Sequence, residues 1–80
     1  MPKLPIVSGK ELVKALQKIG FVILSQRGSH VKLIRQTPNK RQIVIVPMHK
    51  TIKAGTLRNG ILKPIGLSVV ELAMLITKKN

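Results

Sequence analysis

An α+β fold, with a three-stranded antiparallel sheet carrying helices on one face in the order α-β-β-β-α(α), is predicted by three features of the sequence. A Ser-x-x-Glu capping box stands near each end of the chain, as Ser8-Gly9-Lys10-Glu11 and Ser68-Val69-Val70-Glu71. Between them the hydrophobic period shortens from 3.6 to 2, and the turn sequences Gly28-Ser29 and Thr37-Pro38-Asn39-Lys40 divide that stretch into three. The 44% hydrophobic content of 80 residues sets the chain apart from disordered basic tails. It suffices for one domain, 1–80, with a thin core.

Residues 1–7 read as an N-terminal arm. The first capping box starts a helix in which Leu12, Val13, Leu16 and Ile19 share one face and Lys10, Lys14 and Lys18 form a solvated one. Gly20 is its left-handed stop. Residues 21–27, 30–36 and 42–47 are then the strands of a meander. A two-residue Gly-Ser hairpin sets Arg27 opposite His30, Ser25 opposite Lys32 and Leu24 opposite Leu33. That register places Val22, Leu24, Val31 and Leu33 on the apolar face. Ser25, Arg27, His30 and Lys32 fall on the other, whose far end is Phe21, Ile23 and Ile34. Pairing Gln36 with Gln42 puts Met48 beside His30 with His49 close by, although the connection at 37–41 permits other registers. A basic loop follows, and Thr56-Leu57-Arg58 begins a helix that Gly60 and Pro64 make short or irregular. Gly66 turns the chain into a last helix, which buries Leu72, Leu75 and Ile76, and residues 77–80 form a frayed basic tail.

Fifteen Lys or Arg against two Asp or Glu give a formal charge of +13. Self-repulsion on that scale points to a polyanionic partner, nucleic acid before any other. Both acids are explained as helix caps, so no carboxylate is left for a two-carboxylate hydrolase or a two-metal nuclease. Without cysteine there is no disulfide framework or thiolate metal site. No metal and no small-molecule cofactor is expected. The apolar runs are too short to span a bilayer and residues 1–7 lack the run of a signal peptide, so a cytoplasmic protein with no membrane partner is expected. A single aromatic, Phe21, argues against an aromatic base-stacking platform.

Chemistry must then come from His, Ser, Thr, Lys or Arg. RNA can be cut without a metal because its own 2′-hydroxyl can attack the adjacent phosphate, given a proton-transfer group and cations around the phosphorane. His30 is the candidate for proton transfer, with Arg27 and Lys32 holding the phosphate. His49 is a second candidate, and the Ser29 hydroxyl is an optional helper. Lys50, Lys53 and Arg58, near the free amides of a helix starting at Thr56, form a second candidate phosphate contact. From the residues alone plainer readings stay open. A histidine beside a tight turn is often an ordinary exposed side chain, and a basic loop is often only solvated. A noncatalytic RNA-binding module with His30 merely touching RNA is the alternative to an enzyme.

Five ordered blocks resemble the HicA toxin (YcfA-like) family. They are Ser8-Gly9-Lys10-Glu11, Gly20-Phe21, Gln26-Arg27-Gly28-Ser29-His30, Val46-Pro47-Met48-His49, and Gly55-Thr56-Leu57-Arg58 with Ile61-Leu62. The resemblance implies a fold like the double-stranded-RNA-binding domain. It also implies an mRNA-cleaving endoribonuclease, the toxin of a type II toxin–antitoxin pair, held in check by a HicB-like antitoxin. By position, the family's catalytic histidine falls on His30. Two departures concern packing or antitoxin docking: Asn59-Gly60 adds a residue after the Gly-Thr-Leu-Arg block, and Pro64 stands where the family's helix continues.

Overall fold

A computed structural model describes residues 3–77, and the following holds for those residues. The order is α1 (Gly9–Lys18), β1 (Val22–Arg27), β2 (His30–Gln36), β3 (Arg41–Pro47), a π-helical segment (Thr56–Leu62), α2 (Lys63–Ile65) and α3 (Val69–Thr77). The α+β class and the α-β-β-β-α-α order match the sequence reading. Most of the tail assigned to residues 77–80 lies outside the described residues; Thr77 itself ends α3.

Both capping boxes form. The Glu11 amide donates to Ser8 Oγ at 3.0 Å and the Ser8 amide donates to Glu11 Oε1 at 2.9 Å. Ser68 and Glu71 repeat the pair at 3.0 Å each. Hydrogen bonding from the Ser68 backbone first, and from its side chain second, holds the Glu71 carboxyl below the ordinary carboxylate range. The N-terminal arm runs along the fold at its last residue. Val7 is buried, and its carbonyl accepts from the Ile52 amide at 2.9 Å.

The sheet runs β1-β2-β3, antiparallel throughout. The hairpin register holds at its closed end, with Arg27 opposite His30 and Ser25 opposite Lys32. It then breaks at a β-bulge: Leu24 has no partner, and Ile23 rather than Leu24 faces Leu33. One extra residue flips every side chain beyond it. Val22, expected in the core, therefore shares the outer face with Ile34, while Ile23 moves to the helix side. Leu24 does not join the core either, and all six residues of β1 are exposed. Phe21, expected on the outer face, is instead 1% exposed, with the Arg35 guanidinium 4.7 Å above its ring.

The third strand also departs from expectation by one residue. Gln36 faces Arg41, not Gln42, so His30 faces Pro47 rather than Met48. The tight Pro38-Asn39 turn decides this. The Thr37 amide donates to the Lys40 carbonyl at 2.8 Å and the Lys40 amide to Thr37 Oγ1 at 3.1 Å. In this register Gln42 turns inward, where its Oε1 accepts from Arg35 Nε at 2.9 Å and Nη2 at 2.6 Å. Arg35 Nη1 donates onward to the Ile19 carbonyl at 2.9 Å, tying the end of α1 to the sheet. The core is centred on Val31, Leu33, Val44 and Val46 under Leu12 and Leu16 of α1, Leu57 and Ile61, and Leu72 of α3.

The helix expected at Thr56 begins at residue 54, since the Leu57 amide already donates to the Lys53 carbonyl at 2.9 Å. It is irregular as expected, and in a specific way. Over Thr56–Leu62 the helix widens to π, and the Lys63 amide donates to Arg58, five residues back. The buried side chains Leu57, Ile61, Leu62 and Ile65 sit at i, i+4, i+5 and i+8. Removing one residue from Asn59-Gly60 would restore i, i+3, i+4 and i+7, the α-helical core pattern. The π segment thus accommodates one residue more than the α-helical pattern while keeping these four side chains in the core. It also widens the helix just before Pro64, whose ring clashes with the i−4 carbonyl in a regular α-helix. Deleting Gly60 alone is expected to lower stability by about 3 kcal/mol, because Pro64 then lies in a regular α-helix. Adding Pro64→Ala is expected to restore or exceed wild-type stability. Urea midpoints of the two variants check this, and a single deletion as stable as wild type contradicts it.

Candidate active site

The antiparallel pairing of β1 with β2 brings the sequence-predicted groups together on the sheet face away from the helices. Arg27 and His30 close the hairpin as a direct pair, and Ser25 and Lys32 form the next pair on the same face. Gly28 makes this closure possible. It holds φ at +58°, a left-handed conformation that costs glycine nothing, and no other atom lies within 4 Å of where a Cβ would be.

These residues line an open depression of about 570 Å³ together with Gln26 and Ile45. Gln26 Nε2 donates to the Gly28 carbonyl at 3.2 Å, so this side chain braces the turn. Met48 closes the other side of the turn, its amide donating to the Ser29 carbonyl at 2.6 Å. The Ser29 contribution that the structure shows is therefore its carbonyl. His30 is exposed, and its imidazole makes no hydrogen bond within the described residues. Arg27 is exposed and Lys32 half-buried, so a cation flanks the imidazole on its own strand and on the neighbouring one.

The other predicted residues do not join the depression. His49 is exposed and follows Met48 out of the strand, with its carbonyl accepting from the Gly9 amide at 2.9 Å. Lys50, Lys53, Thr56 and Arg58 are exposed along the loop and the first turns of the helix. With that helix starting at residue 54, the unbonded amides of its first turn lie at 54–56. The lining residues that the sequence reading missed are Gln26 and Ile45, the latter because the expected register pointed it inward. The Pro38-Asn39 turn carried the signal that would have placed it.

The site's donor set is cationic and neutral: two guanidinium or ammonium groups, an imidazole, a hydroxyl and an amide. Among the described residues no group of three or more His, Cys, Asp or Glu stands close enough to hold a metal ion. Such a set can hold an anion, and its imidazole can accept or donate a proton. The chain matches no curated protein and no solved structure. A family described as HicA toxin of bacterial toxin-antitoxin matches residues 9–67. That span runs from the first residue of α1 to the turn before α3 and takes in the whole sheet and the depression. The chain belongs to the HicA toxin family of bacterial toxin–antitoxin systems.

Proposed function

We propose that this toxin is a metal-independent endoribonuclease that cuts mRNA in the cytoplasm through His30. The observation that carries this reading is the placing of His30 between Arg27 and Lys32 in one depression. Neutral His30 takes the proton of a ribose 2′-hydroxyl as its oxygen attacks the adjacent phosphorus. The P–O5′ bond breaks as the departing oxygen takes a proton from water, leaving a 2′,3′-cyclic phosphate on one fragment and a 5′-hydroxyl on the other, and the His30 imidazolium returns its proton to the solvent. Arg27 and Lys32 stabilise the charge that builds on the phosphorane, a contribution that grows toward the transition state.

Both carboxylates of the chain are engaged in caps, so none orients the imidazole. That observation favours the second reading, a noncatalytic RNA-binding protein in which His30 only contacts the strand. A single-stranded RNA incubated with the purified protein in EDTA separates the two. The expected result is cleavage that survives chelation, ends in a cyclic phosphate, and stops when the nucleotide 5′ of the cut carries 2′-deoxyribose. Intact RNA, or cutting of the deoxy-substituted strand, rules this chemistry out.

An antitoxin partner follows from the family. We take it to be HicB-like and to cover the His30 face with an acidic surface, because a chain of formal charge +13 is best held by a partner of opposite sign.

A further inference from the structure

The outer sheet face is ordered in rows across the three strands, two residues or about 7 Å apart along β2 and β3. The first row is Arg27, His30 and Pro47, and the second is Ser25, Lys32 and Ile45. The third is Val22, Ile34 and Ile43, wholly aliphatic because the bulge at Leu24 turns Val22 outward. The fourth begins with Gln36 and Arg41. Val22 is 58% exposed, Ile43 46% and Ile45 50%. An uncharged strip thus lies open to solvent on a chain of formal charge +13, with Lys32 on one side and Arg41 on the other.

We propose that this strip is a nucleobase platform: single-stranded RNA crosses the sheet along β2, with a base next to the cleaved phosphate lying on Ile45 and Ile43. The proposal rests on the reading of the His30 depression as an RNA-cleaving site. It is favoured over a protein partner by the order of the rows. A base is flanked by backbone phosphates, and the strip is flanked by cations. The step from one row to the next is about the stretch that an extended strand covers in one nucleotide. Ile45 lines the same depression as His30, so the phosphate site and the platform are continuous. Single-stranded RNA is commonly held through unstacked bases resting on side chains. With one aromatic in the chain, and that one buried, aliphatic side chains take this role here.

The test uses a ten-nucleotide RNA with 2′-O-methyl riboses, which cannot be cut by the 2′-hydroxyl route, and a set of the same strands each carrying one abasic position. Wild type is expected to lose affinity about 5-fold at one or two abasic positions, the low end of base-stacking losses. Ile43→Ala and Ile45→Ala, both at exposed sites that leave the core untouched, are expected to lose the same factor on the intact strand. They are expected to lose nothing more on the abasic one. Variants that bind intact RNA as tightly as wild type, or losses that multiply, overturn the platform. So does an unchanged RNA affinity with altered self-association in ultracentrifugation, which would make the strip an interface between copies. Cleavage of the unmodified strand, followed in parallel, reports separately on the RNA-cutting reading.

Discussion

On the proposed mechanism, replacing His30 by alanine is expected to lower RNA cleavage about 10²- to 10⁴-fold, the usual worth of a positioned acid or base, and to leave the fold and RNA affinity in place. Stability holds because the imidazole is exposed and makes no hydrogen bond within the described residues. Such surface substitutions stay within about 0.5 kcal/mol. Affinity holds because Arg27 and Lys32 remain to meet the phosphate. For roughly five neutralised phosphates on a single strand the log–log salt slope is about −3.5, and it is expected to be the same in wild type and His30→Ala. Arg27→Ala, by contrast, is expected to bring the slope about 0.7 closer to zero. His49→Ala changes cleavage only a few-fold, because His49 lies outside the depression. Single-turnover rates and filter binding over a salt series check all three. Undiminished cleavage in His30→Ala removes His30 from the chemistry.

The parts of this site that were legible in the sequence are those fixed by local chemistry. Gly28-Ser29 fixed the hairpin, and alternation then put Arg27, His30, Ser25 and Lys32 on one face. The two Ser-x-x-Glu boxes fixed both helix starts. Illegible were the features decided by competition between near-equal alternatives. Residues 42–47 present Ile43 and Ile45 on one face and Val44 and Val46 on the other, so hydrophobic pattern cannot choose between them. The Pro38-Asn39 turn and the Arg35–Gln42 hydrogen bonds make that choice. The bulge at Leu24 has the same origin: Val22, Ile23 and Leu24 are all apolar, and any of the three could have faced the helices. It is where periodicity fails that the outer face gains its aliphatic row. The π segment is a milder case, since Gly60 and Pro64 announced an irregular helix but not its bonding.

The second large effect is on folding. Gly9→Ala is expected to destabilise the protein by about 3 kcal/mol or more, at the upper end of overpacking costs. Gly9 is the first residue of α1 and is buried, and its amide donates to the His49 carbonyl at 2.9 Å. A Cβ there would overlap the Pro47 carbonyl oxygen and come within 2.7 Å of Met48 Cα. Both obstacles are backbone, so no side-chain rotation relieves them. The helix start or the end of β3 must move. Yet β3 is held at that point from the other side, by the pairing of Pro47 with His30 and by the Met48 amide on the Ser29 carbonyl. Strain at Gly9 is therefore passed to the turn that carries His30, and the fraction that still folds is expected to cleave RNA more slowly than wild type. Gly55→Ala is the control. It sits in helical conformation with φ at −63°, nothing lies within 4 Å of its would-be Cβ, and alanine there is expected to stabilise by up to about 1 kcal/mol. Urea unfolding of the two variants gives opposite signs if Gly9 marks a backbone contact that tolerates no side chain. A Gly9→Ala protein as stable as wild type means that α1 does not press on the end of β3.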